Sequence, residues 1–499
     1  MKKQIGIITA VTMAVTGMMT IPAPVFADED PIVVRGCIGS EPDSLDPWLS
    51  AASDTDAVFH NVFEGLVLYD ETGAIIPGLA ESWDISDDGL TYTFHLRDDV
   101  TFHNGKHMTA EDVVYTYNAL SGLGGEKALS SKFQILTSVE AEDDTTVVMQ
   151  LSEPNAAFLQ FTIAAVLPEG YDDQATAPVG TGPFSFVEYV PGQKIVLQKY
   201  DEYYDEARMP KIDEAEIYIM TDESAIINAL MSGQLDMGLV YSDTADYISG
   251  DFTVLSSPQN MVQLLGLNNA AEPFNDIRVR QAFNYVIDKQ QIIDGVFAGY
   301  ATELYSNFSP VMSLYYNDEL TDLYQPDVEK AKELMKEAGY EDGFDLTITV
   351  PSNYQKHIDT AEVIIEQLKQ INVNATLNLV EWATWLEDVY TNFNYQATII
   401  GLTGKLDPND ILVRYTTGYK RNFIEYSNEE YDKLIEEAQT ASEDERVELY
   451  KECQKLLAED AASVFISDPN EIVITRSDLK GYTFYPITFI DLSKLYYEE

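Results

Sequence analysis

Residues 86–120 constrain the fold most, because one short stretch spells out a turn, a strand, a loop and a helix start in succession. Asp88-Gly89 is a turn signal, since glycine takes a positive φ at no steric cost. Leu90, Tyr92, Phe94 and Leu96 then alternate with Thr91, Thr93 and His95, the period-two pattern of a half-buried strand. Asp98-Asp99 and Asn104-Gly105 punctuate the loop that follows. Thr109, with Asp112 three residues on, predicts a capped helix whose apolar side is Val113, Val114, Tyr117 and Leu120. The stretch joins strand and helix in one module, and no catalytic group is visible in it. The same succession recurs later, where a strand over Phe344–Val350 precedes a helical stripe of Ile358, Ala361, Ile364, Ile365, Leu368 and Ile371. The fold class is therefore α/β.

With 499 residues the chain can bury a large core and divide into two or three lobes. Its 84 acidic residues against 30 basic ones give a formal charge of −54. Such a surface repels phosphates, so nucleic-acid binding and docking on anionic lipid are disfavoured. It also opposes self-association, and a monomer is expected. A solvated acidic surface explains the charge without any ligand. Recruitment of a cationic ligand is the other reading, but salt screens such a field beyond about 10 Å, and charge alone does not choose between them.

Lys2-Lys3, the apolar run from Ile5 to Thr20 and Val25-Phe26-Ala27 fit a signal peptide over residues 1–27, cleaved before Asp28. No later run is long enough to span a bilayer, so an exported, soluble protein is expected. Cys37 and Cys453 are too few to make a disulfide framework. Cys453 falls on the apolar side of a helix with Val447, Tyr450, Leu456 and Leu457, where a small buried hydrophobe is expected.

Pro77-Gly78-Leu79-Ala80-Glu81-Ser82-Trp83, followed by the 86–115 stretch, resembles the extracytoplasmic solute-binding proteins of peptide and nickel ABC importers. This is bacterial solute-binding protein family 5, which includes the oligopeptide- and dipeptide-binding proteins. Leu45-Asp46-Pro47 and Glu64-Gly65-Leu66 fit the same pattern, the latter closing an apolar stripe of Val58, Phe59, Val62, Phe63 and Leu66 at helical spacing. So do Gly180-Thr181-Gly182-Pro183, Ser232-Gly233-Gln234-Leu235-Asp236 and Pro273-Phe274-Asn275-Asp276-Ile277-Arg278. The resemblance implies an α/β, three-lobed periplasmic-binding-protein-like fold, with two main α/β lobes joined by a hinge and an extra small lobe. Lobe I is expected over residues 31–64, 179–262 and 478–499, the small lobe II over 65–178, and lobe III over 263–477. Val464–Ile466 and Ile472–Ile474 are expected as two strands returning toward lobe I. No cysteine stands near Ala27, where Gram-positive members usually carry a lipidated one, so the protein is expected in a periplasm or outside the cell without that anchor.

Other chemistries fare poorly. His103 and His107 are four apart, but Gly105 lies between them in a loop rather than a zinc-binding helix. No metal or other cofactor is expected. Gly401-Leu402-Thr403-Gly404-Lys405 is too short for a phosphate loop, and Leu406 stands where Ser or Thr must hold magnesium. No Gly-x-Ser-x-Gly element occurs. An enzyme is not expected; a secreted hydrolase is the reading from a different functional class.

What remains is ligand capture between closing lobes, where backbone groups satisfy a peptide main chain without reading its sequence. The resemblance implies one ligand segment after the Leu-Asp-Pro turn, at Ala51, Ala52, Ser53 and Asp54. It implies a second in lobe III, within 401–408, with Thr403, Gly404, Lys405 and Asp407 as candidates. In relatives that stretch reads Gly-Trp-x-x-Asp before a proline. Here Leu402 replaces the Trp, and Lys405 stands where peptide binders often keep an Asp for the ligand's α-amine. A buried ammonium that meets lysine instead loses on the order of 3–5 kcal/mol. That is more than about a hundredfold in affinity. Either Asp407 swings in as a substitute, or Lys405 points to solvent, or an amine is not anchored there. Trp382 and Trp385, three apart, share a helix face and serve either as core or as an aromatic wall for a sugar ring or apolar side chain. The expected partners are a peptide or other small solute, an oligosaccharide being the alternative, and the transmembrane subunits of an ABC permease.

Overall fold

The computed structural model describes residues 31–498 apart from 124, 126, 241 and 322. The expected signal peptide lies outside these residues. Strand β1 (Val33–Ile38) leads through a long loop to helix α1 (Ser53–Phe59). The helical spacing that runs on to Leu66 is not realised beyond Phe59. The N–H groups of residues 61–63 still donate locally, to Val58 and Phe59, but the carbonyls of Asn61 and Val62 accept from the distant N–H groups of Phe184 and Gly182, and Leu66 N–H donates to the Thr162 carbonyl. Tertiary backbone bonds displace the helical ones here. Gly180 and Gly182 permit the approach, since a Cβ at Gly180 would sit 2.0 Å from the Val62 carbonyl oxygen and one at Gly182 2.4 Å from that of Asn61. Glu64, fully buried beside them, accepts from the Tyr203 hydroxyl at 2.7 Å and pairs with Arg208 at 3.1 Å. Burial pushes its carboxyl upward, and Arg208 and Tyr203 oppose that shift.

An antiparallel sheet follows, built from β2 (Ala80–Ile85), β3 (Thr91–Leu96), β4 (Leu136–Asp143) and β5 (Thr146–Leu151) in the order β2-β3-β5-β4. Along β3, Tyr92, Phe94 and Leu96 are buried and their neighbours half-buried, as the alternation predicts. Helix α2 (Ala110–Ser121) carries the expected capping box between Thr109 and Asp112 and lays Val113, Tyr117 and Leu120 on that sheet. Strands β6 (Phe184–Val190), β7 (Lys194–Lys199) and β8 (Glu214–Ile219) then join β1 in a second sheet of order β1-β8-β7-β6, in which β1 and β8 are parallel.

The third and largest sheet collects β9 (Met237–Val240), β10 (Phe252–Pro258), β11 (Met261–Leu267), β12 (Asp345–Pro351), β13 (Asn374–Val380), β14 (Ala397–Thr403) and β15 (Ser463–Arg476). Its main path is β9-β15-β11-β14-β12-β13, with β10 also on β15. Helices α3 (Glu223–Ser232), α4 (Ile277–Val286), α5 (Val328–Glu337) and α6 (Gln355–Leu368) pack around it; Phe283, Leu334 and Ile364 from the last three meet Ile348 and Ile399 in one core.

The two short strands expected near the C-terminus are one continuous strand, β15. Its first part pairs with β11 through residues 463–467, and its last part pairs with β10 through residues 470–476. Val464 and Ile466 belong to the core just named, while Ile472 and Ile474 pack with Cys37, Leu230 and Val240 in a separate one. With Phe465 in a third, a single strand belongs to three cores. Midway along it, the Asp468 carboxylate accepts from Gln259 N–H at 3.2 Å, next to Asn260, whose φ is 61°. Residues 259–260 join β10 to β11 at this level, and Ala301–Glu303 pairs alongside with residues 467–469. Cys37 and Cys453 are both buried, unbonded thiols in different cores. Among the described residues no helix is long and apolar enough to cross a membrane.

Two outcomes test this account. Gly180→Ala should cost about 1–3 kcal/mol in chemical denaturation, because the new methyl meets the Val62 backbone and the Phe63 ring. Asp468 is fully buried, which raises its pKa to about 7. An acid whose folded pKa is raised contributes stability that is intact below its unfolded value and lost as pH rises through the folded one. Wild type should therefore lose on the order of 1–3 kcal/mol relative to Asp468→Asn between pH 4 and pH 7.5, read as diverging melting curves. Parallel curves for the two proteins would sink the assignment.

Candidate ligand-binding cleft

Strands β12, β13 and β14 run parallel and finish on one edge, at Pro351, Val380 and Thr403. The chain leaving that edge carries Tyr354 and His357 at the start of α6, Trp382 in the short helix α7 (Trp382–Trp385), and Thr403-Gly404-Lys405. The carboxyl edge of parallel strands is where α/β sheets offer crevices for ligands. Most of the lobe III candidates are thus brought together.

The two tryptophans divide the roles left open by their spacing. Their rings stack at 5.2 Å with an interplanar angle of 7°. Trp385 is buried and its Nε1–H donates to Thr398 Oγ1 at 2.9 Å, so it is core. Trp382 keeps 38% of its surface exposed, with Tyr354 edge-on against it at 5.6 Å. His357 lies behind this wall. Burial lowers its pKa to about 4, so its ring is neutral; Nε2 accepts from Gly401 N–H at 3.1 Å, and Nδ1 lies 3.0 Å from the Gln263 amide nitrogen.

Gly404 lies flush against the crossing passage. Its N–H donates to the Asn260 carbonyl, and a Cβ there would sit 1.9 Å from Asn260 Oδ1. Thr403 and Lys405 on either side are exposed. Lys405 has a lowered pKa, from partial desolvation and then from the nearby charges of Arg414 and Lys132, with Asp410 opposing. Asp407 does not swing in as its substitute. It is buried, caps helix α8 (Pro408–Leu412) by accepting from Asn409 N–H at 2.7 Å, and pairs with Arg446 at 3.4 Å. Burial raises its pKa, and Arg446 opposes the rise. These bonds shape the loop. Arg446 also donates to the Ala156 carbonyl at 3.0 Å, and Gln160 donates to the Leu406 carbonyl at 3.0 Å. These bonds seat the 156–161 segment beside the Lys405 loop.

The segment after the Leu-Asp-Pro turn is held by local hydrogen bonds. Asp43 accepts from the N–H groups of Ala51 and Ala52, and Asp54 accepts from Ser40 Oγ at 2.6 Å. Ser53 stands exposed in the first turn of α1. The flanking Ser50 and Thr55 line a cavity of about 150 Å³, with Asp56, His60 and Ile163, while residues 51–54 do not. Asp56 and His60, one helical turn apart, are polar groups that sequence reasoning missed. A second missed feature is a small pocket lined by Leu402, Tyr390, Phe423, Arg414 and Arg421. The Arg414 and Arg421 spacing carries no signal of its own. Among the described residues no group of three or more His, Cys, Asp or Glu side chains is placed to hold a metal ion.

Residues 74–423 match the sequence profile of the bacterial extracellular solute-binding proteins, family 5 (middle). The chain belongs to this family. The dipeptide-binding protein of Escherichia coli (strain K12) is 28% identical to it over 94% of this chain and 96% of that protein. Heme-binding protein A of Haemophilus influenzae is 30% identical over 91% and 90% of the two chains. Among solved structures, the periplasmic binding protein DppA of Helicobacter pylori in complex with the peptide STSA has a TM-score of 0.69 at 27% identity, covering 94% of this chain and 99% of that one. The lobed α/β fold is that of the family-5 binding proteins.

Because Trp382 is the exposed ring of the stack, Trp382→Phe should remove most of the ligand-induced change in tryptophan fluorescence. Trp382→Ala should weaken binding by about 0.5–1.5 kcal/mol in calorimetry with the co-purified ligand. A full fluorescence response in Trp382→Phe would place the ligand elsewhere.

Proposed function

We propose that this chain is the exported substrate-binding component of an ABC importer, capturing short peptides outside the cytoplasmic membrane and handing them unchanged to the permease. The observation that carries this reading is the junction of the Lys405 loop with the crossing passage. Gly404 is held on Asn260, and the cores on either side of that level are joined by residues 259–260 and by β15. Two adjacent passages between cores are the geometry of a hinge, and a ligand at the Lys405 loop acts directly on it. The family relatives include proteins named for dipeptide binding and a structure holding a peptide, which supports peptides as the ligand class.

The same reading takes three lobes, with the crossing at residues 259–260 and 468–470 in place of the expected 262/263 and 477/478. It takes residues 1–27 as a removed signal peptide and the mature protein as a monomer that performs no chemistry on its ligand. The exposed Trp382 ring favours a second reading, an oligosaccharide stacked on that face. Mass spectrometry of the ligand released on denaturing the purified protein decides. Intact short peptides are expected; sugar masses would support the second reading, and cleavage products accumulating from added peptide would replace both with a hydrolase.

A further inference from the structure

Four cations gather around the Lys405 loop. Arg414 and Arg421 line the pocket next to Leu402, at the end of β14, with Tyr390 and Phe423 as its aromatic walls. That pocket continues the tryptophan stack: Tyr390 lies 5.9 Å and Phe423 6.2 Å from Trp385, whose other face carries Trp382. Lys405 follows Leu402 by three residues and is exposed. Lys132 approaches from the small antiparallel sheet's side, its ammonium 5.1 Å from the centre of the Phe161 ring, and the adjoining Gln160 is bonded to the carbonyl of Leu406.

None of the four has a carboxylate within ion-pair distance among the described residues, although acids outnumber basic residues 84 to 30 in this chain. Elsewhere the basic side chains are largely spoken for: Arg35, Arg208, Arg278, Arg446 and Arg476 each hold a carboxylate. Asp410 is the one acid that acts on Lys405, and Arg414 and Lys132 act against it. Four unmatched cations at one site oppose each other, and only an anion relieves that repulsion. The overall negative charge does not cancel the effect, because salt screens it beyond about 8–10 Å, whereas Arg414 and Lys132 act on Lys405 from nearby.

We infer that the ligand presents a carboxylate, not an ammonium, between Lys405 and the neighbouring Arg414–Arg421 pocket, with an apolar or aromatic stem along Trp382, Tyr390 and Phe423. Lys405 is then a specificity-determining residue. The inference rests on the peptide reading and narrows it: the peptides taken are acidic or lack a free amine at this end. Arg414 and Arg421 offer planar forks that suit a carboxylate, and Lys405 and Lys132 supply charge from either side.

The test uses the mature protein, freed of ligand, and two equimolar pools of short peptides, one with free amino termini and one succinylated so that each amine becomes a carboxylate. Retention is read by native mass spectrometry, and affinities by calorimetry on succinyl-dialanine and dialanine. The succinylated pool should be favoured at least tenfold. Lys405→Asp combined with Arg414→Gln should erase or reverse that preference, while Lys405→Arg keeps it; melting curves confirm that all three proteins are folded. Equal or better retention of the free-amine pool overturns the inference and leaves the peptide reading standing. Retention of neither pool overturns the peptide reading and this inference with it.

Discussion

The architecture depends on β15 remaining one strand. A strand of fourteen residues offers two separate sets of partners, and here its two halves are stitched to different neighbours and buried in different cores. Its middle is held by a carboxylate whose ionisation is opposed by burial, accepting from the neighbouring passage at residues 259–260. Cutting or bending the structure at residues 259–260 and 468–470 therefore disturbs few apolar contacts, whereas moving either core internally disturbs many. Close packing makes each core stiff and leaves the crossing as the soft coordinate.

The ligand-side features attach to that coordinate. Gly404 touches Asn260 because it has no side chain to keep it away, so the Lys405 loop and the crossing move as neighbours. Asp407, which could have competed for a ligand's amine, is occupied by capping α8 and by Arg446. The loop's electrostatics are thereby left to Lys405 and the two arginines. A lysine in that position is not a neutral replacement for an acid, since it inverts the sign of what the pocket attracts.

Much of the scaffold was legible in the chain itself. The alternation in β3, the capping box at Thr109 and the apolar stripes of α4, α5 and α6 all describe local periodicities whose physical cause is local. The family resemblance rested on residues that turn out to be scaffold. Gly180 and Gly182 are contact surfaces for the 61–63 backbone, and Glu64-Gly65-Leu66 is where that backbone pairs with residues 162–166. The failures share one cause. The stripe from Val58 to Leu66 reads as helix because periodicity cannot show that residues 61–66 have better backbone partners a hundred residues away. The two short apolar runs near the C-terminus read as two strands because a polar Asp-Pro-Asn interruption is a turn signal wherever no distant strand lies ready to pair with it.

The sequence by itself determined the α/β class, the family and the departure at Lys405, because each is carried by residue identity at short spacing. Tertiary structure alone decided which tryptophan is core and which is wall, that Asp407 is committed, and that Arg414 and Arg421 meet beside Leu402. Those facts depend on which surfaces the fold buries against each other. Burial sets both the charge a group can hold and the partners it can reach, and no local pattern encodes it.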